Sequence, residues 1–281
     1  MESYSSGDLW FPVIESGPPK GEAVILLHGF PEDAHCWDSV GASVSRAGFH
    51  VMAPFQRGYT PTARPRKIGE YRLKELSLDI IRLMDAAGLE RAHVVGHDWG
   101  GGVAWYLADR YPNRIASLTV VSTPHPRALS RTLLVSKQAL LSWYLLFFQI
   151  PKFPEWLLTR NRGQLGQRWL TGLGLDRETA ASYVRKFAGD PELLTAALNW
   201  YRALLLDVRY GFTASAVRPA TLYVWGTQDR TVSKRAAHLT GDWVAGSYMF
   251  HPLDGATHWI PEQHPAELAQ LIVAHIEGTR A

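Results

Sequence analysis

The chain has 281 residues, of which 46% are hydrophobic and 20% are charged, a balance that is typical of a folded globular protein and excludes extended disorder. Its net charge is +3, but Lys and Arg are interspersed along the chain, so the charge does not indicate nucleic-acid binding. The single cysteine, Cys36, excludes an internal disulfide and favours a reducing compartment, and because the N-terminus lacks a signal-peptide pattern we expect a cytoplasmic protein.

Short apolar runs alternate with helical patterns through the first 126 residues. Buried strands are predicted over residues 23–27, 49–53, 92–95 and 115–121, which are short and rich in Val, Ile and Leu. Between them, residues 71–87 carry apolar side chains at helical spacing, and Gly88 ends the pattern. Strands that alternate with helices predict an α/β fold with a mostly parallel sheet covered on both faces.

The pattern changes after residue 126. Residues 127–212 contain helical stretches without a convincing strand, and strand patterns return at 221–225 and 247–251. We therefore expect a core formed by residues 1–126 and 213–281, with a helical cap of residues 127–212 inserted where the carboxyl ends of strands bind ligands. The longest apolar run is shorter than the roughly 20 residues that span a bilayer, so no stable membrane insertion is expected.

A sharp strand-to-helix turn is predicted at GHDWGG, residues 96–101. Its glycines let the backbone bend tightly, and the turn presents Asp98 at the start of a helix, where amide dipoles favour an anion. In related turns of hydrolases this position carries a serine that attacks acyl carbon. A carboxylate suits attack on a saturated carbon that bears a leaving group, because the product is a stable ester. Asp98 is therefore predicted to be such a nucleophile.

Two further residues complete a candidate triad. Asp229 follows the strand pattern at 221–225, and His258 follows the pattern at 247–251, so both belong at the same sheet edge as Asp98. Nucleophile, acid and histidine also occur in the chain order of the α/β-hydrolase triad. We expect His258, oriented by Asp229, to activate the water that hydrolyses the ester on Asp98.

An oxyanion hole is predicted from the motif HGFP at residues 28–31. The motif directly follows the first buried strand, at the place where this fold holds a backbone N–H against the nucleophile. The N–H groups of Phe30 and Trp99 would together stabilise the tetrahedral intermediate that forms on the carboxyl group of Asp98.

The turn motif GHDWGG, taken with HGFPE at residues 28–32, resembles the α/β-hydrolase-fold epoxide hydrolases, and the resemblance covers nearly the whole chain. It implies that two tyrosines of the cap donate protons to the epoxide oxygen as the ring opens. Tyr144 in WYLLFFQ and Tyr201 in LNWYR match these positions. From the residues alone, each tyrosine belongs to an apolar helix face that is also typical of packed core: Tyr144 with Leu140, Leu141 and Phe148, and Tyr201 with Leu194, Leu198 and Leu205.

The sequence thus predicts an epoxide hydrolase that converts a lipophilic epoxide and water to a vicinal diol, with no cofactor and no metal ion. The lipophilic substrate is inferred from the Trp, Leu and Phe content of residues 127–212. A haloalkane dehalogenase with the same nucleophile is an alternative, although Phe30 stands where those enzymes commonly carry Asn. A non-catalytic sensor that binds a lipophilic ligand in the same pocket is a further alternative. A homodimer is left open.

Overall fold

An eight-stranded sheet forms the centre of the computed structural model, which describes residues 1–133 and 136–280. The strands are β1 (Ser3–Ser6), β2 (Leu9–Ser16), β3 (Ala23–Leu27), β4 (His50–Pro54), β5 (Ala92–His97), β6 (Ile115–Val121), β7 (Ala220–Gly226) and β8 (Tyr248–Leu253). Their order is β1-β2-β4-β3-β5-β6-β7-β8. The β1–β2 and β2–β4 pairs are antiparallel, and the remaining pairs are parallel. The predicted α/β fold is confirmed.

The N-terminal hairpin β1–β2 has no counterpart among the predicted strands. Its residues alternate between buried and exposed positions, and Pro12 interrupts the apolar pattern of β2. Because a hairpin at the sheet edge buries one face only, it lacks the continuous apolar run that marks the central parallel strands.

Helices cover both faces of the sheet. The core helices are α1 (Asp38–Arg46), α2 (Leu73–Ala86), α3 (Trp99–Arg110), α10 (Lys234–Leu239), α11 (Ile260–Gln263) and α12 (Pro265–Gly278), and single 3₁₀ turns occur at Ala34–Trp37, Pro61–Ala63, Ile68–Tyr71, Pro112–Arg114 and Thr240–Trp243. Side chains of β3 alternate between two apolar clusters: Ile25 and Leu27 pack with α2 and α3, while Val24 and Leu26 pack with α1 and α12. This alternation fixes the sheet between two helical layers.

Between β6 and β7 the described secondary structure is helical, apart from an isolated parallel bridge between Val217 and Val244. The helices are α4 (Pro126–Leu133), α5 (Gln138–Leu141), α6 (Trp143–Phe147), α7 (Phe153–Gly172), α8 (Arg177–Gly189) and α9 (Pro191–Thr213). Helix α7 is broken at residues 160–163, where Asn161, Arg162 and Gly163 adopt left-handed φ values of 52°, 56° and 74°. We propose that residues 127–212 are the predicted cap and that residues 1–126 and 213–281 are the core.

Polar contacts join this helical segment to a loop and to two helices of the proposed core. The indole Nε1 of Trp200 donates to the carbonyl oxygen of Arg57 at 2.8 Å, and the hydroxyl of Tyr183 donates to Glu262 at 2.9 Å. The carboxylate of Asp207 accepts a hydrogen bond from the backbone N–H of Leu73 at 2.8 Å. In the described part of the chain, no helix combines the length and the apolar composition that crossing a membrane requires.

Candidate active site

Asp98 lies at the junction of β5 and α3 in a strained backbone conformation. Its φ is 48° and its ψ is −119°, a combination that few residues other than glycine adopt and that is commonly found at active sites. The turn depends on close backbone contacts. A Cβ at Gly96 would lie 2.3 Å from the carbonyl oxygen of Gly100, and a Cβ at Gly100 would lie 2.1 Å from that of Leu27. The two glycines therefore allow α3 to begin directly against the sheet, with the Asp98 side chain at its first turn.

Replacement of Gly100 by alanine is expected to destabilise the fold. The added Cβ would meet backbone of β3, which cannot move without disturbing the central sheet, so we expect a loss of at least about 2 kcal/mol in the free energy of unfolding, measured by urea denaturation. Gly102→Ala is the matched control in the same helix, because its Cβ would make ordinary contacts at 3.9 Å. That variant should keep or gain stability, by up to about 1 kcal/mol. Equal losses in the two variants would contradict the packing argument.

The three predicted triad residues lie together at the carboxyl end of the sheet. The Nδ1 of His258 is 2.9 Å from the Oδ2 of Asp229, and its Nε2 is 3.5 Å from the Oδ2 of Asp98. Asp229 is completely buried, and its Oδ1 accepts hydrogen bonds from the N–H of Thr231 at 2.7 Å and of Val232 at 3.0 Å. Burial tends to raise the pKa of Asp229, but the charge and the hydrogen bond of His258, followed by the hydrogen bonds from Thr231, outweigh burial and lower this pKa.

The imidazole of His258 lies between two carboxylates. Burial disfavours the imidazolium, yet the charge and hydrogen bond of Asp229, followed by those of Asp98, raise the pKa of His258 well above its ordinary value. The pair Asp229 and Asp98 thus holds His258 protonated while both carboxylates are charged. Neutralising Asp98 would remove one of the two charges that hold this proton.

One of the two predicted oxyanion-hole donors contacts Asp98. The N–H of Phe30 donates to the Oδ1 of Asp98 at 2.9 Å. The approach requires glycine at the preceding position, since a Cβ at Gly29 would lie 2.4 Å from the Cβ of Asp98. Trp99, the second predicted donor, is the first residue of α3, where backbone N–H groups have no acceptor within the helix.

Tyr144 and Tyr201 line the same cavity as Asp98 and His258. The cavity has a volume of about 260 Å³. The two phenol rings are 6.0 Å apart at their centroids and nearly perpendicular, and Tyr201 also meets the ring of Trp99 edge-on at 5.0 Å. Burial, followed by the negative charge of Asp98, raises the pKa of both hydroxyls. Both hydroxyls therefore stay protonated over a wide pH range.

The helix faces predicted around the two tyrosines are partly wrong. Leu140 and Leu205 are 74% and 57% exposed, whereas Phe148, Leu194 and Leu198 are buried as expected. Ser142 separates α5 from α6, so the 3.6-residue spacing does not continue from Leu140 to Tyr144. The packing of this helical segment therefore leaves some of its apolar side chains exposed to solvent.

Away from the triad, the cavity is walled mainly by apolar side chains of α4 and α9. The residues that form this part are Leu129, Leu133, Leu204, Val208 and Phe212. No cluster of three or more His, Cys, Asp or Glu side chains that could hold a metal ion is found in residues 1–133 and 136–280.

Three residues that contact the site were not singled out from the sequence. The hydroxyl of Thr231 lies 2.7 Å from the Nδ1 of His258. Buried behind the site, His97 donates from Nε2 to the carbonyl oxygen of His258 at 2.9 Å, and its Nδ1 is 2.8 Å from Glu32. The Oε2 of Glu32 is hydrogen-bonded to this nitrogen at 2.9 Å and also accepts from the N–H of Gly29 at 2.9 Å. Glu32 and His97 belong to the motifs already quoted, and an Asp-x-Thr turn is the local signal for Thr231.

A family model described as the alpha/beta hydrolase fold matches residues 22–265. The chain belongs to the α/β-hydrolase fold family. It is 35% identical to the AB hydrolase superfamily protein YfhM of Bacillus subtilis, over 95% of this chain and 94% of that protein. It is also 29% identical to epoxide hydrolase A of Mycobacterium tuberculosis, with 95% of this chain and 94% of that protein covered.

A solved structure of an epoxide hydrolase is also similar to this chain. The crystal structure of epoxide hydrolase A from Mycobacterium thermoresistibile matches with a TM-score of 0.85 and 28% identity, over 98% of this chain and 97% of that one. The resemblance to the α/β-hydrolase-fold epoxide hydrolases is therefore confirmed, as is the prediction of a hydrolase.

Proposed function

We propose that this protein is an epoxide hydrolase that opens a lipophilic epoxide through a covalent ester on Asp98. The observation that carries the proposal is the position of Tyr144 and Tyr201, whose side chains share one cavity with Asp98. An epoxide needs a nucleophile at carbon and a proton donor at oxygen, because an unprotonated alkoxide is a very poor leaving group. The apolar walls of the cavity support a lipophilic substrate.

In the first step, a carboxylate oxygen of Asp98 attacks one ring carbon, and the carbon–oxygen bond of the ring breaks. The electron pair of that bond passes to the epoxide oxygen, which receives a proton from Tyr144 or Tyr201. The N–H of Phe30 lies 2.9 Å from the Oδ1 of Asp98 and orients the carboxylate for this attack. The product is a hydroxyalkyl ester of Asp98.

In the second step, water attacks the carboxyl carbon of Asp98. His258 accepts the proton of this water, and Asp229 stabilises the resulting imidazolium at 2.9 Å. The N–H groups of Phe30 and Trp99 stabilise the oxyanion. The intermediate collapses when the bond between the carboxyl carbon and the alkyl-bearing oxygen breaks, and its hydroxyl proton passes to that oxygen. The diol is released, and the oxygen of the water remains in the carboxylate of Asp98.

The raised pKa of His258 gives the two steps an order. While Asp98 is charged, it helps Asp229 to hold a proton on His258. Ester formation neutralises Asp98 and removes this contribution, which lowers the pKa of His258 and favours release of its proton. That proton restores the hydroxyl of the tyrosine that protonated the epoxide oxygen. The histidine thus becomes available as a base only after the ester that it hydrolyses has formed.

The alternative of a haloalkane dehalogenase is less well supported. A halide ion requires N–H donors and no proton, so two tyrosine hydroxyls at the cavity serve no purpose in that reaction. Phe30 also supplies no side-chain N–H where those enzymes commonly have Asn. A cytoplasmic location remains a prediction from the sequence.

The ester mechanism is tested by a single turnover in oxygen-18 water with enzyme in excess. The substrates are a small set of aryl and alkyl epoxides, and bromoalkanes are assayed in parallel for halide release. We expect the first diol to contain ordinary oxygen and the label to appear in the peptide that contains Asp98, as measured by mass spectrometry. Label in the first diol would instead mean that water attacks the epoxide directly. Halide release without diol formation would favour the dehalogenase.

The two steps are expected to differ in pH dependence. Hydrolysis of the ester needs neutral His258, so its rate should rise with pH through the pKa of this residue and then level off. Ring opening should stay constant up to about pH 10, where an ordinary tyrosine ionises, because burial and the charge of Asp98 raise the pKa of Tyr144 and Tyr201. Stopped-flow single turnovers across pH 5 to 10 measure both rates.

The control for the pH profile is Asp229→Asn. Asp229 makes the largest contribution that favours the charged form of His258, so its loss should lower the pKa of His258. The rising limb of ester hydrolysis should then move to lower pH, on a lower plateau. A limb that stays in place would mean that another group titrates.

A further inference from the structure

An apolar surface on the proposed cap is left uncovered by the described residues, 1–133 and 136–280. It consists of Leu140, Trp143, Leu146, Ile150, Phe153 and Trp156, which are between 45% and 74% exposed. We call these six residues the cap patch. The three aromatic members of the patch are connected. Trp143 and Phe153 both contact the neighbouring ring of Phe147, with centroid distances of 5.8 Å and 6.1 Å, and Phe153 stacks on Trp156 at 5.7 Å. A connected exposed apolar surface of this kind marks an interaction site.

The segment that carries the cap patch is strongly basic. Residues 127–172 contain seven Lys and Arg and one acid, Glu155, while the whole chain has a net charge of only +3. Glu155 is 12% exposed and lies 2.8 Å from Arg202, so it does not offset the surface charge. Lys152 is exposed and precedes Phe153, and the guanidinium of Arg160 lies 4.5 Å above the ring of Trp156. Cations therefore border the apolar side chains.

Tryptophan, aliphatic side chains and cations together fit a lipid surface. Trp rings favour the boundary between headgroups and acyl chains, and Lys and Arg are attracted by anionic headgroups. A second copy of the chain fits less well, because it would bring two basic segments into contact. We propose that the cap patch docks this protein onto a membrane surface that contains anionic lipids. Such docking places side chains at the headgroup level and needs no segment that crosses the bilayer.

The cap patch and the candidate active site share one wall. Leu140, Trp143 and Leu146 point outward from α5 and α6, whereas Gln138 and Tyr144 of the same helices line the cavity. A docked cap would hold the cavity within one helix diameter of the lipid, where lipophilic epoxides concentrate. This consequence for substrate supply rests on the proposed function, whereas the docking itself does not.

Docking is tested with vesicles of phosphatidylcholine alone and of phosphatidylcholine mixed equally with phosphatidylglycerol. We expect the full chain to sediment with the anionic vesicles at low salt and to be released at high salt. Lys152→Glu/Arg160→Glu should weaken this binding at least about tenfold. The matched control Lys20→Glu/Lys74→Glu makes the same change of charge at exposed positions outside the cap and should bind like the wild type.

A second pair of variants tests the apolar side chains. Leu140→Ser/Leu146→Ser removes the two most exposed members of the cap patch, and Trp10→Ser/Met249→Ser changes similarly exposed residues in β2 and β8. We expect only the first pair to lose vesicle binding, with epoxide turnover in vesicle-free solution unchanged in both.

Equal binding to neutral vesicles, or equal losses in the cap and control variants, would overturn the proposal. So would a dimer, seen by analytical ultracentrifugation without lipid, that Leu140→Ser/Leu146→Ser converts to a monomer while vesicle binding is absent. Absence of epoxide turnover with intact vesicle binding would overturn the proposed function and leave docking supported.

Discussion

Replacing His258 by glutamine is expected to stop the reaction after one epoxide has been opened per active site. Glutamine approximates the size of the imidazole but cannot accept the proton of the attacking water, so ester hydrolysis should slow by at least about 10³-fold. The nucleophile and both tyrosines remain in place, so the ester should accumulate. Mass spectrometry of the intact protein should show one added substrate mass, located on the peptide that contains Asp98.

The control for this experiment is the double variant Asp98→Ala/His258→Gln. Without the carboxylate, no adduct should form at any time. An adduct on the double variant would show that another residue is the nucleophile, and multiple turnover by His258→Gln would show that another group activates the water.

Replacing Tyr144 and Tyr201 together by phenylalanine is expected to abolish ring opening. Each hydroxyl can donate to the epoxide oxygen, so we expect a loss of about 10²-fold for each single variant and of at least about 10⁴-fold for the double variant. Ester formation, followed in single turnovers, measures this step. Hydrolysis of ester that does form should be unaffected, since neither hydroxyl takes part in the second step.

Tyr210→Phe is the matched control for the tyrosine pair. Tyr210 lines the same cavity, but it is not one of the two tyrosines that match the proton donors, so the loss of its hydroxyl should leave ring opening nearly unchanged. Equal losses in all three single variants would mean that the hydroxyls act through the packing of the cavity. Rapid ring opening by the double variant would exclude the assigned proton donors.

The parts of the fold that follow from local chemistry could be predicted from the sequence. The central strands are continuous apolar runs because both of their faces are covered, and the glycines around Asp98 mark a turn that no other residue tolerates. The placement of Asp229 and His258 beside Asp98 followed from their positions after strands, since parallel strands end at one sheet edge.

Contacts between distant segments could not be predicted in this way. Glu32 and His97 are far apart in sequence, and only the folded chain shows that they link the Gly29 loop to the backbone of His258. Nor does helical periodicity reveal the exposure of Leu140, because the break at Ser142 interrupts the helical spacing between Leu140 and Tyr144. Burial depends on which helices meet, and a single sequence does not contain that information.

In the proposed mechanism, the groups that form and break the ester belong to the loops at the carboxyl end of the sheet, whereas the two tyrosine hydroxyls come from α6 and α9. The residues that determine which leaving group can be protonated thus belong to other elements than the residues that form and hydrolyse the ester. Substitutions in two helices could therefore lead to a different kind of substrate, while the aspartate, the histidine and the N–H donors stay as they are. Selection for a new reaction would act on the surface segment that tolerates change most easily, and the strained turn that is hardest to rebuild would be inherited intact.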